Sequence, residues 1–156
     1  MDDMFELMLK QQQKQELVKV LDCNSYTKKF GVVLTEEDAK ELLLSRKDNL
    51  RQQERVEFRE GILPKLIFTF CDSPYIYQDN YVETIERLQE IFYLYKNESL
   101  DELTDDELLL YMKESFEGDC QGSLDYLEET SLEGFARRIR GRTKGFIGRY
   151  SEDDVE

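Results

Sequence analysis

No histidine occurs anywhere in the chain's 156 residues. Its absence removes serine–histidine and cysteine–histidine nucleophile pairs, and with them every histidine-containing zinc site. Proline and glycine are scarce too, at two and eight residues, whereas an all-β chain needs turn residues between its many short strands. Three cysteines, Cys23, Cys71 and Cys120, are widely spaced and never form a Cys-x-x-Cys pair. That odd count, with no secretory apolar run in the opening MDDMFELMLKQQQKQ, points to a reducing cytoplasm rather than a disulfide framework. Nowhere do 18 apolar residues run together, so neither a transmembrane helix nor a membrane partner is expected. Gly141, Gly145 and Gly148 have neither Walker nor dinucleotide spacing, so no phosphate loop and no cofactor is expected.

Charge and apolar residues are both plentiful. Hydrophobic residues make up 40% and charged residues 36%, which suits amphipathic helices with heavily charged outer faces. The net charge is −14 and the sequence pI about 4.5, a balance that repels phosphate backbones and anionic lipid. It is unevenly spread. Residues 134–150 carry Arg137, Arg138, Arg140, Arg142, Lys144 and Arg149 with no acid, while SEDDVE at 151–156 carries four acids, leaving −16 on the first 133 residues. The domain expectation is one helical domain over 1–140 and a basic-then-acidic flexible tail over 141–156.

Six helices are expected. The first spans about 2–21, its apolar ends (Met4, Phe5 and Met8; Val18 and Leu21) packed and its KQQQKQE centre solvated. The stretch DCNSYTKKFGVV reads as a loop, with Asn24 and Gly31 suited to turns. Thr35 caps a helix running to about Arg55, with Ala39, Leu42, Leu43, Arg46 and Leu50 on one face. Pro64, tolerated only in a first helical turn, starts a short and very apolar central helix near Leu63. A buried strand competes for that segment. Residues 79–96 carry Tyr81, Ile85, Leu88, Phe92 and Tyr95 as a single stripe. Thr104 and Glu107 form a capping box for a helix ended by Gly118, and a last helix over about 122–140 offers Leu124, Leu127, Phe135, Ala136 and Ile139 to the core.

Several groups invite a chemical reading. FCDSPYIYQDNY places Cys71 at a helix C-terminus beside Asp72, a setting that raises a thiol's pKa and argues for a structural cysteine. Tyr75 and Tyr77 in the same stretch suit either the rim of the core or a partner surface. Met4, Phe5 and Met8 are further partner-binding candidates. Glu57 with Glu60, and Glu83 with Glu86, have the three-residue spacing that magnesium-dependent all-α nucleotide pyrophosphohydrolases use. With 35 acids in the chain such pairs arise by chance, and Gly61 and Pro64 interrupt the element carrying the first, so a solvated acidic face is the favoured reading and no metal or catalytic residue is assigned. The basic segment 137–150 gives nucleic-acid binding as an alternative. A third reading is an acidic nucleic-acid mimic that occupies another protein's basic cleft.

ILPKLIFTFCDSPYIYQDNYVETIERLQEIFYLYKNE, with ELTDDELLLYMKESF and GSLDYLE beyond it, resembles a family of small acidic bacterial proteins, a domain of unknown function from anaerobic Gram-positive species. The resemblance runs from about Asn24 to Ile139. It implies a bacterial cytosolic origin and brings no activity, cofactor or catalytic residue. The expectation is therefore a single-domain all-α bundle working as a non-catalytic, cytoplasmic protein-interaction or regulatory module, its protein partner unidentified.

Overall fold

The computed structural model describes residues 2–57, 61–99 and 102–139. Helices account for it throughout, and no strand occurs among the described residues. The elements are α1 (Asp2–Asp22), a short α2 (Asn24–Thr27) continued by a 3-10 turn (Lys28–Phe30), α3 (Glu36–Gln52), α4 (Leu63–Phe70), a 3-10 turn (Gln78–Asn80) leading into α5 (Tyr81–Glu98), α6 (Asp105–Glu117) and α7 (Leu124–Tyr126). A π turn over Leu127–Ser131 comes after α7, and helical backbone continues to 139. The all-α expectation holds, and all six expected helices are present. Contacts group the chain into two compact units, Met1–Tyr93 and Leu94–Glu156, divided within α5. The tail over 141–156 lies outside the described residues.

In the first unit, α3 starts where Thr35 accepts from the Asp38 N–H and Asp38 reciprocates, satisfying two orphan donors at the helix end. Ala39, Leu42, Leu43 and Arg46 are its buried face, as the spacing requires, while Leu44 stands exposed. The helix stops three residues before Arg55. Glu54 adopts φ +55, and its N–H and that of Arg55 return to Arg51 O and Leu50 O. This is a Schellman ending built on glutamate instead of the usual glycine. Pro64 sits in the first turn of α4, and Leu63, Leu66, Ile67 and Phe70 are buried. The very apolar segment is therefore the central helix, with the proline where its missing N–H costs nothing.

The segment read as a loop is mostly helical turn, because side-chain amides rather than a sheet satisfy the extended residues that come after it. Asn24 both donates to Leu34 O and accepts from Leu34 N, each at 2.8 Å. Gln78 does the same for Val33 at 3.0 and 2.9 Å, and the Thr27 hydroxyl donates to Val32 O at 2.7 Å. Gly31, at φ +87, makes the left-handed turn between them. The first helix corrects a second expectation. Val20 is buried, but Met4, Phe5 and Met8 are 69%, 64% and 62% exposed, and every described residue from 3 to 15 is exposed. Among the described residues, the first turns of α1 are exposed rather than packed.

In the second unit, Thr104 and Glu107 make the expected capping box and Gly118 caps the C-terminus of α6. Tyr95 stacks on Phe135 with ring centroids 4.9 Å apart, and its hydroxyl donates to Leu127 O at 2.8 Å. Leu127, Phe135, Ala136 and Ile139 are buried, while Leu124 is half-buried.

The α5 stripe is fully enclosed: Tyr81, Ile85, Leu88 and Tyr95 have no exposed surface and Phe92 has 1%. Leu88→Ala is expected to cost about 2–5 kcal/mol through the cavity it leaves. Leu44→Ala, on the exposed side of α3, should stay within about 0.5 kcal/mol of the parent. Urea denaturation followed by circular dichroism measures both.

Candidate functional site

Arg46 occupies a core position of α3 and is 3% exposed, so its charge requires a partner. Glu57 supplies it: Arg46 Nε donates to Glu57 Oε1 at 3.0 Å. The same oxygen accepts from the Tyr93 hydroxyl at 2.6 Å and from the Ile62 N–H at 3.4 Å. Burial first, and then the charge of Glu57, hold the Tyr93 phenol far above its usual range, so it acts as a fixed donor. Gly61, at φ +63, lies against this knot. A Cβ there would overlap Glu57 Oε1 and stand 2.7 Å from Arg46 Nε. The arrangement clasps α3, α4 and α5 together around one carboxylate oxygen.

A second charge cluster links α3 to α5. Glu86 is half-buried, and its carboxyl is raised from 4.5 to about 7, by burial above all, then by the hydrogen bond and charge of Glu41 and the charge of Glu83, against an opposing hydrogen bond from Ser45. Burial and the neighbouring acids thus favour the protonated form of Glu86. Among the described residues no group of three or more Cys, Asp or Glu side chains could hold a metal ion. Glu57, one of the magnesium candidates, is committed to Arg46 and Tyr93. Its companion Glu60 lies outside the described residues.

The exposed apolar surface lies elsewhere. The first turns of α1 present Met4, Phe5, Leu7, Met8 and Leu9 to solvent, each 41–69% exposed. Further along, α1 and α3 enclose an open groove lined by Leu17, Val18, Leu21, Leu43 and Leu44. Lys10, Lys14, Lys40 and Lys47 also line it, together with Glu36 and the buried Glu16. A smaller aromatic patch, which periodicity gave no reason to single out, joins Tyr26 to Phe68 at 5.3 Å and to Phe30 at 5.6 Å. Lys29 Nζ lies 4.2 Å above the Tyr26 ring. Tyr26 and Phe30 fall in the segment read as a loop, where spacing carries no facial information.

Of the other sequence candidates, Tyr77 is 58% exposed and Tyr75 half-buried, on either side of a buried Ile76. The connector is pinned by Asn80, which accepts from Tyr77 N at 2.9 Å and donates to Tyr75 O at 3.2 Å. Cys71 is 2% exposed and its thiol donates to Phe68 O at 3.5 Å. Cys23 and Cys120 are also buried and unpaired as disulfides, and burial pushes the Cys120 thiol up. In the basic segment, Arg137 pairs with Glu133 at 3.2 Å. Arg138 donates to the Tyr111 hydroxyl at 3.0 Å and lies 5.1 Å from that ring's centroid. Both are exposed but engaged within the chain. Arg140, Arg142, Lys144 and Arg149 lie outside the described residues.

A model of a family of unknown function, DUF6323, matches residues 19–145. No curated protein matches the chain, and no solved structure does.

Two stability measurements test the clusters. Glu57→Gln should destabilise by about 3–5 kcal/mol in urea denaturation, because it leaves the buried Arg46 charge uncompensated. Glu86 is raised above its unfolded value of 4.5, so the native state holds the extra proton between the two values. Its contribution is complete below pH 4.5 and is lost as pH rises through about 7. Thermal unfolding should show that loss in the parent, and Glu86→Gln should flatten it.

Proposed function

We propose a role for a chain that belongs to DUF6323, a family of unknown function: it acts as a non-catalytic protein-interaction or regulatory module of the cytosol. The observation that carries this reading is the exposed apolar end of α1, with Met4, Phe5 and Met8 each more than 60% exposed. Water-exposed helix this short is marginal by itself, and contiguous apolar surface of this kind marks association sites in soluble proteins. Methionines add adaptable contact surface, and Phe5 a rigid aromatic anchor. The absence of histidine from the sequence and the engagement of Glu57 in the clasp favour binding over catalysis. Three buried cysteines that form no disulfide suit a reducing compartment. The two described arginines of the basic segment are tied to Glu133 and Tyr111, which gives the nucleic-acid alternative no added support.

The test is capture of proteins on immobilised full-length chain, compared with a Phe5→Asp, Met8→Asp variant. The parent should retain a defined protein that the variant loses at least tenfold, with equal far-ultraviolet circular dichroism for the two. Retention unaffected by the substitutions would remove α1 as the binding element. A tight small-molecule ligand with no captured protein would overturn the reading.

A further inference from the structure

Helical backbone does not end with α1. Cys23 keeps right-handed helical angles, φ −60 and ψ −26, and Thr27 and Lys28 do so too. One helical run therefore extends from Asp2 to Phe30. Its inner line is Glu16, Val20, Cys23 and Thr27, all buried. Steps of four, three and four residues hold that line to one side of the run, across the junction of α1 and α2. A second line of the same spacing lies about a quarter of a turn away. Phe5, Met8, Gln12 and Gln15 form its first half. Lys19, Asp22, Tyr26 and Lys29 form its second half. All of them are exposed, so this side of the run has no cover among the described residues. Chemically the line is apolar at its first end, amide in the middle, then ionic, and aromatic and basic at its far end.

We infer that this line is the seam of an antiparallel pair made with a second copy of the chain, about a two-fold axis level with Leu17. This inference rests on the interaction reading above and names its partner. Both halves of the seam share one side of one helical run, so a two-fold operation presents each half to the other, as an isologous interface requires. About that axis Met8 lies level with Tyr26 of the second copy, and Phe5 with Lys29. A thioether thus meets a ring that Phe68 adjoins at 5.3 Å. An aromatic face meets the ammonium that rests 4.2 Å above Tyr26. Gln12 lies level with Asp22 and Gln15 with Lys19, the amides offering a donor to the carboxylate and an acceptor to the ammonium. Each pairing occurs twice, and no like charges meet. The other alignments are worse. A parallel pair in register sets Lys19 on Lys19 and Asp22 on Asp22. A seven-residue slip one way sets Phe5 on Asp22, and the other way carries Phe5 and Met8 past Phe30. Polar layers of this kind fix direction and register at some cost in stability.

Light scattering of the full-length protein should give twice the 18.6 kDa chain mass. Phe5→Asp with Met8→Asp should yield a monomer of unchanged thermal midpoint, since both positions are exposed in the single chain. Gln12→Asp sets two acids level with each other and should weaken self-association at least tenfold, and adding Asp22→Lys should restore it. Positions 12 and 22 lie about 15 Å apart along one helix. Oxidation of a Gln12→Cys, Asp22→Cys variant can therefore join them only between chains, and peptide mapping should find that bridge in a covalent dimer. A wild-type monomer at about 100 µM overturns the pairing. So does a dimer that survives the Phe5 and Met8 substitutions, ignores Gln12→Asp or fails to cross-link. If a wild-type monomer still captured a different protein through Phe5 and Met8, the interaction reading would stand and only its partner would change. Capture of nothing would sink both.

Discussion

One carboxylate oxygen organises the first unit. Glu57 Oε1 receives a guanidinium nitrogen from α3, a phenol from α5 and the N–H that opens α4. Three stretches far apart in sequence thus meet at a point where any missing donor would leave buried charge exposed to an apolar surround. The consequence spreads outward. Arg46 can occupy a core position of α3 only because Glu57 is there, and the chain can approach Glu57 only because Gly61 has no side chain to collide with it. A hydrophobic core of leucine and isoleucine would pack with more freedom. The clasp instead ties α3 and α5 together through directional bonds at Glu57.

Much of the fold was legible because its helices announce themselves locally. Thr35, Thr104 with Glu107, and Pro64 mark starts by chemistry that does not depend on tertiary context, and the Tyr81–Tyr95 stripe has one consistent period. The hidden features depended on distant partners. The Schellman ending at Glu54 uses no glycine or asparagine, so nothing in the sequence marked the helix as stopping early. Residues 32–34 receive their hydrogen bonds from Thr27, Gln78 and Asn24, a provision that no pattern of apolar residues reveals. Glu57 was visible as an acid of suggestive spacing, and Arg46 as a charge in an apolar stripe. Only proximity joins them, in an ion pair that no spacing in the sequence reveals.

Among the partner-binding candidates, the sequence singled out Met4, Phe5 and Met8 while expecting the same end of the helix to pack within the chain. Their exposure separates the two statements. Apolar spacing shows that a surface wants cover, and it carries no information about whether the cover belongs to the same molecule. The tyrosine connector divides similarly: Ile76 enters the core and Tyr77 does not, since alternation in an extended segment sends neighbours to opposite sides.

The π turn at Leu127–Ser131 also sets the rotation of the helical backbone beyond it. Leu127, Ser131, Phe135 and Ile139 recur every four residues, and on a regular helix such a row drifts sideways by about 40° per step. The wider turn, with its i→i+5 bonding, takes up part of that drift and keeps Leu127, Phe135 and Ile139 all buried. Length is therefore the constraint in this stretch. Residue identities between 128 and 130 can vary with little effect on the core, but gaining or losing one residue would rotate everything downstream, Phe135 off Tyr95 first.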